Sequence, residues 1–158
     1  MSFATCDLSD DHQNVSVALP GFRDFGGRIA FGGPITTLKV FEDNTLVREQ
    51  LEKPGEGRVL VVDGGGSMRC ALVGGNLAEL GVKNGWAGII VFGCIRDSKE
   101  IGALEIGVKA LDTMPQKSVK RGEGQIDLPV TFHGVTFTPG EYTYADEDGV
   151  VVAPEKLA

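Results

Sequence analysis

The stretch LVGGNLAELGVKNGWAGIIVFGCIRD, residues 72–97, decides the fold, because its apolar residues change period part-way. Gly75 or Asn76 can cap a helix whose Leu77, Leu80 and Gly81 share one face, and Asn84-Gly85 is a helix stop. The run AGIIVFG, 87–93, is short, continuous and apolar, as in a strand buried on both faces. Arg96-Asp97 falls just beyond it. Upstream, GRVLVVDGGG (57–66) has the same strand character and ends in glycines. Strand, helix and strand in that order imply a parallel crossover.

Outward from this unit, EDNTLVREQLE (42–52) predicts a helix capped by Asp43 or Asn44, with Leu46, Val47 and Leu51 on one face. GRIAFGGPITTLKVF (27–41) predicts extended structure with Gly-Gly-Pro as a turn or bulge. PVTFHGVTFTPGEYTYADEDGVVVAP (129–154) carries β-rich runs split by His-Gly, Pro-Gly and Asp-Gly, which predicts antiparallel hairpins or a small barrel. The expectation is an α/β chain with mixed parallel and antiparallel β layers, forming one domain over residues 1–158. Neither an internal repeat nor a linker is evident.

Composition narrows function. The formal charge of −7 opposes binding to a phosphate backbone, which needs Lys and Arg. No direct nucleic-acid partner is expected. Cys6, Cys70 and Cys94 are odd in number and show no metal-ligand spacing, which suggests a reducing compartment. MSFATCDLSDDHQ lacks the basic-then-apolar order of a signal peptide, and no apolar run nears the roughly 20 residues that span a bilayer. A cytoplasmic location without a membrane partner is the expectation.

DGGGSMR (63–69) fails the dinucleotide fingerprint because Arg69 stands at the last glycine position, so a tight turn is favoured. His12 and His133 are far apart, Ser67 lies in no hydrolase elbow, and DEDG (146–149) is too short for a calcium loop. Gly74-Gly75-Asn76-Leu77 is different because it opens a helix. Unpaired N–H groups and the positive dipole end make such a turn a place for a carboxylate or phosphate. Arg96 brings a fork that matches a carboxylate, and Asp97 can hold a hard divalent cation with waters filling the octahedron. The bland alternative is a surface Arg–Asp pair of little energetic consequence. PQKSVKRGEG (115–124) adds Lys117, Lys120 and Arg121, either a solvated loop or a guide for an anionic substrate.

Together FGGPITTLKVFEDNTLV (31–47), GRVLVVDGGGS (57–67), GGNLAELGVKNGWAGIIVFGCIRD (74–97), LDTMPQKSVKRGEG (111–124) and YADEDGVVV (144–152) resemble the RraA-like family. That family includes the regulator of ribonuclease activity A and the divalent-metal-dependent 4-hydroxy-4-methyl-2-oxoglutarate aldolases, which also decarboxylate oxaloacetate. The resemblance implies a swivelling β/β/α fold and a ring-shaped homotrimer with sites between subunits. It places a substrate-binding turn on Gly74, Gly75, Asn76 and Leu77, a substrate-binding and catalytic arginine on Arg96, and a catalytic metal ligand, for Mg²⁺ or Mn²⁺, on Asp97. The substrate implied is a small 2-oxo-acid. Asp97 favours the enzyme branch over a non-catalytic inhibitor of an endoribonuclease, the alternative. The longer aldolases carry a C-terminal extension with acidic residues for the neighbouring site. Decarboxylation is therefore expected to be stronger, relative to aldol cleavage, in this chain than in the longer enzymes. Some relatives once bore a methyltransferase label, which no motif here supports.

Overall fold

The computed structural model describes residues 2–158. Helix α1 (Thr5–Asp11) precedes two short strands, β1 (Ser16–Val17) and β2 (Arg23–Asp24). Then come β3 (Phe31–Lys39), α2 (Thr45–Leu51), β4 (Val59–Asp63), β5 (Ala71–Val73), α3 (Gly75–Lys83) and β6 (Gly88–Ile95). Helix α4 (Ser98–Gly102) leads to β7 (Gly107–Thr113) and β8 (Gln125–Ile126). Strands β9 (Val130–Phe132), β10 (Val135–Phe137), β11 (Tyr142–Asp146) and β12 (Gly149–Ala153) finish the chain.

The main sheet runs β1-β12-β11-β3-β4-β6-β7-β2, with β5 on β6 and β8 on β3. Its middle, β3-β4-β6-β7, is parallel, and antiparallel strands flank it. Strand alternation then assigns each face a core. Leu60 and Val62 pack with Val47, Leu51, Leu77 and Ala78 under α2 and α3. Val59 and Val61 pack with Phe132, Val135 and Phe137 of the β9–β10 hairpin. The result is a helical layer, a mixed sheet and a β-hairpin layer, as the sequence implied.

Three details differ from the sequence reading. Gly32-Gly33-Pro34 makes no turn, because β3 runs straight through it. The Tyr144 ring lies against Gly32 and the Gly57 carbonyl against Gly33, leaving no room for a Cβ at either. Pro34 is tolerated because the neighbouring Ile35 N–H supplies the ladder bond, to the Glu141 carbonyl at 2.8 Å. The N-cap of α3 is Gly74, one residue before Gly75 and two before Asn76, the caps proposed from sequence. Helices α1 and α4 and strand β7 were not anticipated.

Candidate active site

The crossover closes on itself at its two ends. Strand β5 pairs with β6 so that Val73 lies opposite Ile95, and the Arg96 N–H donates to the Val73 carbonyl at 2.9 Å. Arg96-Asp97 is thereby set beside Gly74-Gly75, the start of α3. A Cβ at Gly74 would stand 3.0 Å from Asp97 Oδ2 and 3.5 Å from Arg96 Cγ, so the approach is close.

Asp97 has φ 60 and ψ 40, the left-handed conformation. For a residue with a side chain this costs roughly 1–2 kcal/mol, at the low end for Asp. The residue is the N-cap of α4, yet its carboxylate makes no bond to that helix. Instead Oδ2 accepts the Gly75 N–H of α3 at 2.9 Å. The strained backbone aims the carboxylate across the cleft. Its Oδ1 has no protein hydrogen-bond partner among the described residues.

Around this pair lies a cavity of about 140 Å³ walled by the Gly74–Leu77 turn, Asn44, Arg48, Ala71, Arg96, Asp97, Lys117 and Lys120. Four cations face one carboxylate, in a protein of net charge −7. Helix α3 makes its first internal bond from Ala78 N–H to the Gly74 carbonyl. Asp97 takes the Gly75 N–H, so those of Asn76 and Leu77 remain for an anion. Arg96 is held only by a 3.4 Å contact from Nη1 to the Pro115 carbonyl, which leaves most of its fork available. The structure thus brings all six sequence-predicted residues to one mouth.

The basic loop is no free tail. Asp43 Oδ2 accepts the N–H groups of Arg121 and Glu123 at 2.8 and 3.1 Å, and Oδ1 accepts the N–H and hydroxyl of Thr45. Burial works against the charged carboxyl, but these bonds prevail and hold it down at about 2. Asn44, the N-cap of α2, donates its N–H to Ser118 Oγ and its side-chain N–H to the Leu72 carbonyl. This grip places Lys117 and Lys120 in the cavity wall.

Two residues escaped sequence reading. The carboxylate of Glu100 sits where a side chain on Gly75 would begin. The Asp97-x-x-Glu100 spacing, a capping-box pattern at the start of α4, could have marked it. Asn44 Oδ1 is buried and accepts no hydrogen bond, the sole buried side-chain atom so left among the described residues. Neither histidine lies in the cavity wall; His133 stacks on Phe22. The Gly64–Gly66 turn folds onto Asp63 and Phe92, with positive φ at Gly65 and Gly66, as a tight turn should. Burial raises the thiol pKa of Cys70 and Cys94, so both are inert core groups rather than nucleophiles.

Residues 5–152 match the family described as RraA-like: Aldolase/RraA. The chain belongs to this family. A relative from Aromatoleum aromaticum, named "Putative 4-hydroxy-4-methyl-2-oxoglutarate aldolase", is 65% identical over 158 residues, 99% of each chain. Two solved RraA-like folds superpose closely. The RNA-processing inhibitor RraA from Thermus thermophilis is 47% identical, with TM-score 0.97 over 100% of this chain and 96% of that one. A Geobacillus kaustophilus protein titled S-adenosylmethionine: 2-dimethylmenaquinone methyltransferase is 52% identical, with TM-score 0.96 over 98% and 97%. One RraA-like fold therefore carries three functional names.

Proposed function

We propose that the protein is a divalent-metal-dependent C–C lyase that cleaves 4-hydroxy-4-methyl-2-oxoglutarate to pyruvate and decarboxylates oxaloacetate. The observation that carries the reading is Asp97, strained into the left-handed region with its carboxylate fixed at the α3 N-terminus beside Arg96. The full-length aldolase-named relatives agree with it.

A metal fits the donor chemistry. No group of three or more His, Cys, Asp or Glu among the described residues could form a closed metal cage. A hard cation that keeps most of its waters needs none: Asp97 would hold it directly, and Glu100 would order the water around it. Bound there, Mg²⁺ or Mn²⁺ supplies a Lewis acid to the 2-oxo-acid carbonyl.

The chain's own residues do the rest. Asn76 and Leu77 N–H groups, with the α3 dipole, hold the substrate carboxylate. Arg96 places positive charge where the carbonyl oxygen gains electrons as the C–C bond breaks. Glu100, directly or through a water, takes the substrate hydroxyl's proton as the C–C bond breaks in retro-aldol cleavage; decarboxylation has no such proton to remove.

Pyruvate release from both substrates, with and without EDTA, tests the reading. Release that EDTA abolishes and Mg²⁺ or Mn²⁺ restores is expected; no release with any divalent metal would end it. The likeness to the Thermus RNA-processing inhibitor favours a second reading, inhibition of an endoribonuclease by protein contact. We assign the protein to a homotrimer in either case.

A further inference from the structure

The cavity beside Asp97 is lined by two groups of residues, and the reaction as derived uses only one. Gly74–Leu77, Arg96 and Asp97 form the reactive group, where α3 begins and β6 ends. Arg48 of α2, with Lys117 and Lys120 of the loop after β7, makes up the other. None of these three cations forms an ion pair among the described residues. The fold nevertheless holds them together. The Arg48 N–H donates to the Asn44 carbonyl, and the Asn44 N–H donates to Ser118 Oγ, which ties α2 to the loop between Lys117 and Lys120. The Asn44 side chain also donates to the Leu72 carbonyl and so fixes both to the strand entering α3.

Like charges gathered without a counter-ion repel one another, and a protein of net charge −7 has carboxylates to spare for pairing them. An arriving anion removes that repulsion. The reactive group already accounts for one carboxylate of a 2-oxo-acid: the Asn76 and Leu77 N–H groups hold it, and Arg96 answers the charge that develops at the carbonyl oxygen. A second carboxylate on the same substrate has no partner there.

We propose that Arg48, Lys117 and Lys120 form a subsite for the distal carboxylate of a 2-oxo-dicarboxylate, with Arg48 supplying the bidentate fork. This rests on the lyase reading and adds what selects between its substrates, which use the subsite differently. In 4-hydroxy-4-methyl-2-oxoglutarate the distal carboxylate lies one carbon beyond the breaking C3–C4 bond. It keeps its charge and departs within the second pyruvate, so cations there bind ground state and transition state alike. In oxaloacetate the distal carboxylate is itself the leaving group. The electron pair of the C3–C4 bond stays with the enolate, and neutral carbon dioxide departs. Cations that hold this carboxylate favour the ground state and oppose its loss. The subsite therefore tilts the site towards aldol cleavage.

Arg48 is exposed and its side chain forms no ion pair, so Arg48→Met removes charge without breaking an internal salt bridge. Calorimetry on the full chain with Mn²⁺ present uses two unreactive probes of equal length, 2-oxoglutarate and 2-oxopentanoate, which differ in the distal carboxylate. The wild type should bind 2-oxoglutarate about tenfold more tightly, the worth of a hydrogen-bonded charge. Arg48→Met should remove most of that preference by weakening 2-oxoglutarate alone. Arg48→Lys, which keeps the charge and loses the fork, should retain part of it. In parallel kinetics, Arg48→Met should lower the efficiency of aldol cleavage relative to decarboxylation about tenfold. Losses shared equally by both probes would make Arg48 a general attractor of anions and overturn the subsite. A wild type without the preference, or an unchanged ratio of the two reactions in Arg48→Met, would overturn it as well. If the wild type releases pyruvate from neither substrate, the lyase reading falls while the calorimetry still decides the subsite.

Discussion

At the scale of single residues, Asp97 trades backbone strain for aim. Glycine pays no penalty at φ 60, so Asp97→Gly should unfold at equal or higher urea concentration than wild type while losing metal-stimulated turnover. Denaturant midpoints beside pyruvate-release rates check this; a large loss of stability would mean the carboxylate is structural. Arg96→Lys should lower catalytic efficiency at least tenfold, because an ammonium cannot reproduce the guanidinium fork. Gly75→Ala should displace the Glu100 carboxylate, the exposed end of a flexible side chain, rather than break the fold. Mn²⁺ affinity and the share of aldol cleavage should then fall at near-wild-type stability. Residue-scale chemistry was also the most legible in the sequence. Gly74–Leu77, Arg96 and Asp97 lie at the ends of strongly patterned elements, and chemistry gathers at such ends. Glu100 and Asn44 were not legible, because their roles come from contacts between segments. Glu100 meets Gly75 across 25 positions, and the orphaned oxygen of Asn44 becomes visible only once Leu72 and Ser118 hold its neighbours.

At the scale of elements, reading depended on whether periodicity outlasted the noise. Strands β4 and β6 and helix α3 are long and uniformly patterned, so their type and order could be read directly. Helix α1, TCDLSDD, buries only Thr5 and Leu8, and α4 buries only Ile101 in five residues, so neither shows an apolar period. Strand β7, GVKALDT, interrupts its apolar run with Lys109 and reads as no strand at all. The basic loop is fixed by Asp43, and this gives a pH signature. The Asp43 carboxyl lies at about 2 in the fold against a usual 3.8, so its contribution is complete above pH 4. It fades as pH falls through 4 towards 2, by roughly 2 kcal/mol. Asp43→Asn should therefore destabilise at pH 7 and flatten this part of the acid limb. Urea midpoints at pH 7 and pH 3 measure it, and an equal loss at both would assign Asp43 a role independent of its charge.

At the scale of the molecule, one buried lysine ties the distant parts together. Lys109 of β7 binds Asp24 of β2 and donates to the Asp146 carbonyl at 2.6 Å, while the Asp146 carboxylate accepts from Thr5 of α1. Lys109→Met fills the volume but strands the Asp24 charge and that carbonyl, and should cost on the order of 3 kcal/mol. Thermal unfolding checks the loss, and a change within 0.5 kcal/mol would show the link to be dispensable. The core linked in this way is the rigid frame that holds α3 against the end of β6. The central claim is that this frame presents a metal-dependent C–C lyase site at Asp97. The direct measurement is the initial rate of pyruvate release from oxaloacetate across a Mn²⁺ titration, for wild type and Asp97→Asn in parallel. Asparagine accepts the left-handed backbone but carries no charge. The account predicts a saturable metal-dependent rate in wild type and at least a hundredfold loss in Asp97→Asn at matched stability. An unchanged rate in Asp97→Asn, or release in wild type that is indifferent to Mn²⁺, would contradict it.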